Sequence, residues 1–328
     1  MKNYFFGKKI LITGGLGMIG SSIAHLLVKL GAEVTIVDSC LQPYGANEFN
    51  IRSIRKKVKL LNIDIRDRKA LPSIIKDCQI IFNLAGQVSH NDSIENPFLD
   101  TEINYTGHLN VLETVRQVNP GIKILYSGSR LQFGKIEKTP VAEMHPQRPL
   151  TPYALNKSAA ENMYLFYHRL HGIPVIIFRI ANPYGPRGQI RHNKYCMINW
   201  FIRQAMDDQT ITIYGDGSQI RDYIFIDDLA EAFVRAAATD ACSGQVFNIG
   251  SGTGVTFKTM AETIIQTVKS GKIIHVPWPD NYVNVETGDY VSDIRKISGF
   301  LGWHPGIDLQ EGVARTFAYY KKFHSHYR

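Results

Sequence analysis

Residues 9–20, KILITGGLGMIG, decide the fold of this chain. The apolar beginning is typical of a buried parallel strand, and the apolar spacing at 19–30 predicts a helix. A glycine turn between a strand and a helix binds phosphate, because the helix N-terminus offers free N–H groups and a partial positive charge. Gly14 allows the tight turn, Gly17 lets a pyrophosphate approach the backbone, and Gly20 lets the helix pack close to the strand.

Asp38 lies at the position that determines whether a site of this kind binds NAD or NADP. Residues 33–37 predict a second strand, and Asp38 ends it about 20 residues after the glycine turn. A carboxylate there accepts the two ribose hydroxyls of NAD and repels the 2′-phosphate of NADP. Ser39 and Cys40 follow where an arginine would favour NADP. We therefore predict NAD as the cofactor; a helix or turn cap is the structural alternative for Asp38.

Strands alternate with helices along the first part of the chain. We predict strands at 59–62, 79–84, 123–127 and 175–179, and helices at 70–76, 97–118 and 152–171. Such alternation over about 180 residues predicts an α/β fold, a doubly wound parallel sheet of the Rossmann type covered on both faces. We assign 1–182 to an NAD-binding Rossmann domain and 183–328 to a smaller mixed α/β lobe that binds the substrate, with 227–250 returning to the first domain.

The pattern becomes rich in turns from Pro183 onwards. Residues 211–214 and 219–226, on either side of Gly215-Asp216-Gly217, predict two short strands joined as a hairpin. A strand is predicted at 246–249, and helices at 227–237, 257–268 and from 308 to 323.

Tyr153 and Lys157 form a candidate proton-transfer pair. They are four residues apart on a helix predicted to begin at Pro152, so they lie on one face. A lysine ammonium beside a phenol favours the phenolate, so we expect Tyr153 to act as a base well below the ordinary tyrosine pKa of about 10. Ser129 follows a predicted strand, at the edge where doubly wound sheets bind ligands. Together they suit proton transfer at a carbinol oxygen, although an isolated Tyr-x-x-x-Lys pair is also common on plain exposed helix faces.

The composition narrows the class of protein. The net charge of +8 and the pI near 9.2 suit an anionic ligand such as a diphosphate. The sequence holds no block of Lys and Arg with interleaved aromatics, so we predict no nucleic-acid partner.

No apolar run approaches the roughly 18 residues that span a bilayer, and the N-terminus lacks a signal-peptide pattern. We therefore predict no membrane span and a cytoplasmic location. The cysteines match no metal or redox spacing, so we predict no metal site. They are Cys40, Cys78, Cys196 and Cys242.

The motifs, taken in order, resemble those of the extended short-chain dehydrogenase/reductases, in the branch of nucleotide-sugar epimerases and dehydratases. The resemblance covers nearly the whole chain. The matching motifs are Thr13-Gly14-x-x-Gly17-x-x-Gly20, Asp38, Asp64, Asn83-Leu84-Ala85-Gly86-Gln87, Asn104-x-x-Gly107, Ser129, Tyr153-x-x-x-Lys157, Asn182-x-Tyr184-Gly185-Pro186, Arg221-Asp222-Tyr223 and Leu301-Gly302-Trp303-x-Pro305.

The resemblance implies a role for each matching residue. Tyr153 is the base, Lys157 also binds the nicotinamide ribose, and Ser129 orients the sugar hydroxyl. The implied NAD contacts are Gly14, Gly17, Met18, Ile19, Asp38, Asp64, Ile65, Leu84, Ala85, Gly86, Tyr153 and Lys157. The implied substrate contacts are Gln87, Ser129, Arg130, Asn182, Arg187 and Arg221. Asn182 and Arg221 would meet the nucleoside diphosphate; a surface ion pair with Asp222 is the alternative for Arg221.

The resemblance also implies a reaction, which is epimerisation of a nucleotide sugar at C4 through a transient 4-keto sugar, with NAD tightly bound. A CDP-sugar 2-epimerase uses the same catalytic and cofactor-binding motifs, so 2-epimerisation is a close alternative. A nucleotide-sugar reductase or dehydratase is a further alternative. A non-enzymatic NAD sensor also shares the fold, but the intact set of Ser129, Tyr153 and Lys157 argues against it.

The chain departs from the family pattern in two places. Relatives that eliminate water carry an acid and a base directly after the Ser129 position, where this chain has Arg130 and Leu131. Leucine cannot abstract a proton, so we do not expect 4,6-dehydration; decarboxylases usually carry a glutamate there too. Many epimerases have a second phosphate-binding arginine where this chain has Glu286. A carboxylate beside a diphosphate is repulsive, so either the loop aims Glu286 elsewhere or the substrate binds in a different position. Arg187, Arg191 and Lys194 are the candidates for supplying the missing charge.

The segments 104–118 and 153–171 carry more apolar residues than one buried face requires. These residues include Leu109, Leu112, Met163, Leu165, Phe166 and Leu170. Two copies of the helix pair would pack about a two-fold axis as a four-helix bundle, so we predict a homodimer. The alternative is that the C-terminal helix of the same chain covers this face.

Overall fold

The computed structural model describes residues 1–279 and 284–327. The strands are β1 (Lys9–Thr13), β2 (Glu33–Asp38), β3 (Val58–Asn62), β4 (Ile80–Asn83), β5 (Lys123–Ser129), β6 (Val175–Ile180), β7 (Asn182–Tyr184), β8 (Thr210–Tyr214), β9 (Ile220–Phe225), β10 (Gln245–Ile249), β11 (Gly254–Thr256) and β12 (Lys272–Val276). The α-helices are α1 (Lys2–Phe5), α2 (Met18–Lys29), α3 (Leu71–Ile75), α4 (His90–Glu95), α5 (Pro97–Thr101), α6 (His108–Val118), α7 (Pro152–His171), α8 (Met197–Met206), α9 (Ile226–Ala237), α10 (Phe257–Val268), α11 (Arg295–Leu301) and α12 (Leu309–Phe323).

Seven parallel strands form the central sheet, in the order β10-β6-β5-β4-β1-β2-β3. Successive side chains of β1 enter different hydrophobic clusters: Ile10 and Ile12 pack with α2 and α9, and Leu11 packs with α6 and α7. A strand that is apolar on both sides requires a sheet covered on both faces. The predicted doubly wound α/β class is confirmed. Strand β10 lies beside β6 in this sheet, while the division at residue 182 stays a prediction.

Two smaller sheets carry the later part of the chain, and they correct one prediction. Strand β8 pairs with β12 in parallel, and β9 pairs with β7 and β11. The predicted hairpin of β8 with β9 is therefore wrong. The carbonyl groups of Gly217 and Gln219, between the two strands, accept hydrogen bonds from Lys258 and Phe257 at the start of α10. The connection thus docks on α10 instead of forming a hairpin turn.

The helix predicted at 97–118 is interrupted by a π-helical segment, Glu102–Gly107. Within it, Asn104 donates hydrogen bonds to the Asp100 carboxylate (2.9 Å) and to the carbonyl of Gln87 (3.0 Å). A π segment inserts a residue into the helical turn, which apolar periodicity alone does not register. None of the described helices is both long and apolar enough to cross a membrane.

Helix α7 begins and ends as predicted. The hydroxyl of Thr151 accepts a hydrogen bond from the amide of Ala154, Pro152 occupies the first turn, and Gly172 ends the helix at φ +67°. Left-handed backbone at this position favours glycine. The signals for this helix are local in sequence, so its bounds could be predicted.

The buried carboxylate of Glu161 ties α7 to the sheet. It accepts two hydrogen bonds from the guanidinium of Arg179 on β6, at 2.9 and 2.6 Å. It also accepts from the side-chain amides of Gln132 (2.7 Å) and Gln147 (2.8 Å). Glu161 is 1% exposed and Arg179 is 5% exposed. A buried charge with all its hydrogen bonds made is costly to disturb.

We predict that Glu161→Ala lowers the free energy of unfolding by about 3–5 kcal/mol, because it leaves the Arg179 charge buried without its carboxylate counter-ion. Urea unfolding measures the loss. The matched control is Glu137→Ala, which removes the exposed ion pair with Arg148 (2.7 Å) and should cost less than about 1 kcal/mol. Equal losses for the two variants would contradict this account of α7.

Candidate active site

A cavity runs along the carboxyl edge of the central sheet. Its wall combines the glycine turn, the ends of β2, β4 and β5, the start of α7, and part of β9. The carboxyl ends of parallel strands meet at this edge, which is where doubly wound sheets bind ligands. Nearly all the predicted site residues therefore line one cavity, although they are far apart in sequence.

Gln87 and Arg187 are the two predicted site residues that the structure does not bring to the cavity wall. The buried side chain of Gln87 donates to the carbonyl of Ser89 (2.6 Å). The guanidinium of Arg187 donates to the hydroxyl of Ser22 on α2 (3.0 and 3.1 Å) and lies 3.6 Å from Asp227. Both side chains are held by nearby groups that a sequence pattern does not reveal.

The three glycines of the phosphate-binding motif, Gly14, Gly17 and Gly20, differ in what surrounds them. Gly14 has φ +66°, and a Cβ there would lie 2.9 Å from the backbone of Ala85. A Cβ on Gly20 would lie 2.4 Å from the carbonyl oxygen of Gly14, so helix α2 packs against the turn only because residue 20 is glycine. A Cβ on Gly17 would meet only that same oxygen, at 3.4 Å. The open side of Gly17 faces the cavity.

Asp38 connects the end of β2 to the glycine turn. Its two carboxylate oxygens accept hydrogen bonds from the amides of Leu16 and Cys40, each at 3.0 Å. Burial raises the pKa of Asp38, and those two hydrogen bonds act in the opposite direction. Each oxygen keeps capacity for a further donor, so the carboxylate is placed to accept hydroxyl groups from a ligand in the cavity.

Ser129, Tyr153 and Lys157 lie together on the cavity wall, each at most 9% exposed. Ser129 is the last residue of β5, and Tyr153 is in the first turn of α7. The ammonium of Lys157 donates to the carbonyl of Ser127 (3.1 Å) and lies 5.9 Å from the centre of the Tyr153 ring.

Burial has the largest effect on the pKa values of Tyr153 and Lys157. It raises the pKa of Tyr153 to about 12, although a hydrogen bond with Ser129 lowers it. It lowers the pKa of Lys157 to about 8, while the charge of Asp100 raises it. Our expectation of a Tyr153 pKa well below 10 is therefore wrong for the protein alone, because burial penalises the charged phenolate and the charge of Asp100 acts in the same direction.

Sequence reasoning missed Asp100, a wholly buried carboxylate close to helix α7. It accepts hydrogen bonds from Asn156 (2.7 Å), the neighbour of Lys157, and from Asn104 (2.9 Å). Its i, i+4 spacing from Asn104 is a weak signal, because the intervening π segment cannot be read from the sequence.

Two buried arginines line another part of the wall. The guanidinium of Arg130 donates to Asn182 (3.2 Å) and to the hydroxyl of Thr287 (3.0 Å). Arg221 lies 2.5 Å from the carboxylate of Glu286. The alternative pairing of Arg221 with Asp222 is wrong: the Asp222 carboxylate accepts backbone amides instead, those of Ser251, Gly252 and Ser292.

The family model described as GDP-mannose 4,6 dehydratase matches residues 11–316. The chain belongs to the nucleotide-sugar epimerase and dehydratase branch of the extended short-chain dehydrogenase/reductases.

Three relatives illustrate the range of this branch. A protein named putative UDP-glucose 4-epimerase, from Methanocaldococcus jannaschii, is 33% identical and covers 95% of this chain and 98% of its own. The CDP-paratose 2-epimerase of Salmonella typhi is 28% identical over 94% of this chain and 98% of its own. The Thermus thermophilus UDP-glucose 4-epimerase, solved with NAD, is 27% identical with a TM-score of 0.85, covering 95% of this chain and 99% of that one.

NAD is the cofactor of this branch, and the residues present fit it. The open side of Gly17 and the N-terminus of α2 would hold the pyrophosphate, and Asp38 would accept the adenosine ribose hydroxyls. Asp64, Ile65 and Leu84 also line this part of the cavity. Among residues 1–279 and 284–327, no group of His, Cys, Asp and Glu side chains is arranged to hold a metal ion.

We predict that Gly17→Ala weakens NAD binding about tenfold or more, since the methyl group occupies the space where the pyrophosphate meets the backbone. The fold should survive with a loss of about 1 kcal/mol. Gly20→Ala is the matched control, because its methyl group would push against the Gly14 carbonyl and cost about 1–3 kcal/mol of stability. Calorimetry with NAD and urea unfolding separate the two effects; wild-type NAD affinity in Gly17→Ala would refute the assignment.

Proposed function

We propose that this protein is an NAD-dependent epimerase of nucleotide sugars, acting at C4 of a hexose through a transient 4-keto sugar. The observation that carries the proposal is which residues follow Ser129 on the cavity wall. Arg130 and Leu131 follow it there, and neither supplies the carboxylate that removes a C–H proton in an elimination. Tyr153 lies on the same cavity wall as Ser129, and a phenol suits transfer of an O–H proton.

In this proposal Tyr153, in its phenolate form, accepts the proton of the sugar hydroxyl and returns it when the hydroxyl is formed again, and Ser129 orients that hydroxyl. The buried ammonium of Lys157 stabilises negative charge on the phenol oxygen. NAD, when bound, supplies a reversible hydride acceptor whose nicotinamide ring is positively charged. Because burial raises the pKa of Tyr153 to about 12, the proton transfer depends on positive charges close to the phenol.

A 2-epimerase acting on a CDP-sugar is the second candidate, because the Salmonella typhi relative aligns over nearly the same length. Proton NMR of the products from a panel of UDP-, GDP-, CDP- and dTDP-sugars distinguishes the two. The proposal expects the C4 epimer of one substrate with no net consumption of NADH. A C2 epimer, or a 4-keto-6-deoxy product, would overturn it.

We also propose a cytoplasmic location. All four cysteines are free thiols, which suits a reducing compartment.

We predict that Tyr153→Phe lowers turnover by several orders of magnitude, because the ring and its packing remain but the proton acceptor is lost. NAD affinity and the urea midpoint should stay near those of the wild type. Tyr164→Phe is the control, since its buried hydroxyl bonds to Asn83 (2.6 Å) and takes no part in the proposed chemistry. More than about a tenth of the wild-type rate in Tyr153→Phe would contradict the assigned base.

We further propose a homodimer through a four-helix bundle. On α7, Leu155 is 58% exposed, Phe166 48% and Leu170 60%, and these side chains follow one helical stripe. Phe98 on α5 is 82% exposed.

Helix α12 packs on α8 and α10, so the alternative that it covers this face is wrong. Leu112, which the sequence analysis counts among the apolar residues of this helix pair, is buried in the chain's own core and does not face a partner.

We predict that light scattering gives a mass near twice 37.0 kDa for the wild type, and that Phe166→Glu lowers it towards the monomer by placing a charge in the apolar stripe. Met144→Glu is the control, because Met144 is 92% exposed and lies outside the stripe. A monomeric wild type at micromolar concentration would rule the interface out.

A further inference from the structure

Arg130 and Arg221 both donate hydrogen bonds to the segment 286–288. Arg130 donates through Nη1 to the Thr287 hydroxyl (3.0 Å). Arg221 donates through Nη1 to the carbonyl of Gly288 (3.0 Å) and through Nη2 to Glu286 (2.5 Å). The two arginines are 9% and 5% exposed. Their guanidinium groups therefore share one small region of the cavity wall.

Among residues 1–279 and 284–327, this region holds more positive than negative side chains. Buried cations need counter-ions, and of the described carboxylates it is Glu286 that faces the two guanidinium groups. Burial lowers the pKa of Arg130 to about 10, and the charge of Arg221 acts in the same direction. The region therefore carries an excess of one positive charge when both arginines are protonated, which an anionic ligand would neutralise.

Tyr223 supplies a second, independent observation. Its side chain lies on the same wall and is 7% exposed, and its hydroxyl has no hydrogen-bond partner among the described residues. Tyr223 pairs with Asn182 on β7, whose side chain accepts a hydrogen bond from Arg130. Tyr223 also follows Arg221 by two residues on β9, so the two side chains share a face of that strand. The charges of both arginines act on the Tyr223 hydroxyl. A buried hydroxyl without a partner is unfavourable, so an acceptor oxygen in this region would complete its hydrogen bonding.

We propose that Arg130 is a second diphosphate-binding arginine, which acts with Arg221 and the Tyr223 hydroxyl, and that Glu286 is a counter-ion that the diphosphate replaces on Arg221. A diphosphate carries at least two negative charges and many acceptor oxygens, and arginine forks suit it. The inference rests on the proposed function, in that it takes the ligand to be a nucleotide sugar.

The other cations considered for this charge are engaged elsewhere. Arg187 faces Ser22, Arg191 donates to the carbonyl of Tyr44 (3.3 Å), and Lys194 pairs with Asp92 (2.7 Å). Arg130 therefore takes the role of the arginine that the family pattern places at position 286.

Calorimetry on the NAD-loaded protein tests the proposal, with UDP, GDP, CDP and dTDP as probes and the matching monophosphate as a control. Arg130→Gln should weaken binding of the preferred diphosphate about tenfold or more, with a smaller effect on the monophosphate. Glu286→Gln should change affinity in the opposite direction, tightening diphosphate binding several-fold. NAD affinity should not change in either variant, and Arg148→Gln, an exposed arginine, should leave all affinities as they are.

Each other result has a definite meaning. Unchanged diphosphate affinity in Arg130→Gln, in a protein that still epimerises a sugar, overturns the subsite and leaves the proposed function standing. Weaker binding in Glu286→Gln overturns the counter-ion role, because Glu286 would then orient Arg221 for the ligand. A wild type that binds none of the four diphosphates overturns the proposed function and the subsite together. Loss of NAD affinity in Arg130→Gln assigns the residue a structural role and also overturns the proposal.

Discussion

The buried carboxylate of Glu161 sets the geometry on which the candidate active site depends. Tyr153, Lys157 and Glu161 follow one another at i, i+4 steps, so a bond that fixes Glu161 also fixes the face of α7 that carries the other two. Arg179 holds Glu161 on β6. Gln132 donates to Glu161 (2.7 Å) and accepts from the amide of Ser129 (2.7 Å). One network thus links Ser129 on β5 to the helix that carries the candidate base.

The same wall holds several charged groups that burial makes costly to ionise. Burial lowers the pKa of Lys157 to about 8 and that of Arg130 to about 10, and raises that of Tyr153 to about 12. The pKa values of buried groups such as these shift strongly when a charged ligand binds beside them. A nucleotide sugar would bring negative phosphates to the arginines, and NAD would bring a positive ring to the phenol. The electrostatics of the site therefore suit a cofactor and substrate of these charges.

Much of the fold could be predicted because its signals are local. The glycine turn before α2, the Asp38 carboxylate and the caps of α7 each depend on a few adjacent residues. The pairing of β8 with β12, the π segment at Asn104 and the burial of Leu112 depend instead on residues distant in the chain. The resemblance placed Arg221 on the cavity wall, but its ion pair with Glu286 joins residues 65 positions apart. Arg187 was misplaced for the same reason, since its partner Ser22 lies 165 residues away.

The most direct test of the central claim follows a deuterium atom at C4 of the nucleotide sugar that the protein converts. An enzyme that epimerises at C4 removes that atom and returns it to the same carbon from the other side. NMR should then show the C4 epimer with its deuterium retained, and no free NADH should accumulate. Loss of the deuterium to solvent, its transfer to another carbon of the sugar, or inversion at C2 with C4 untouched would contradict the account.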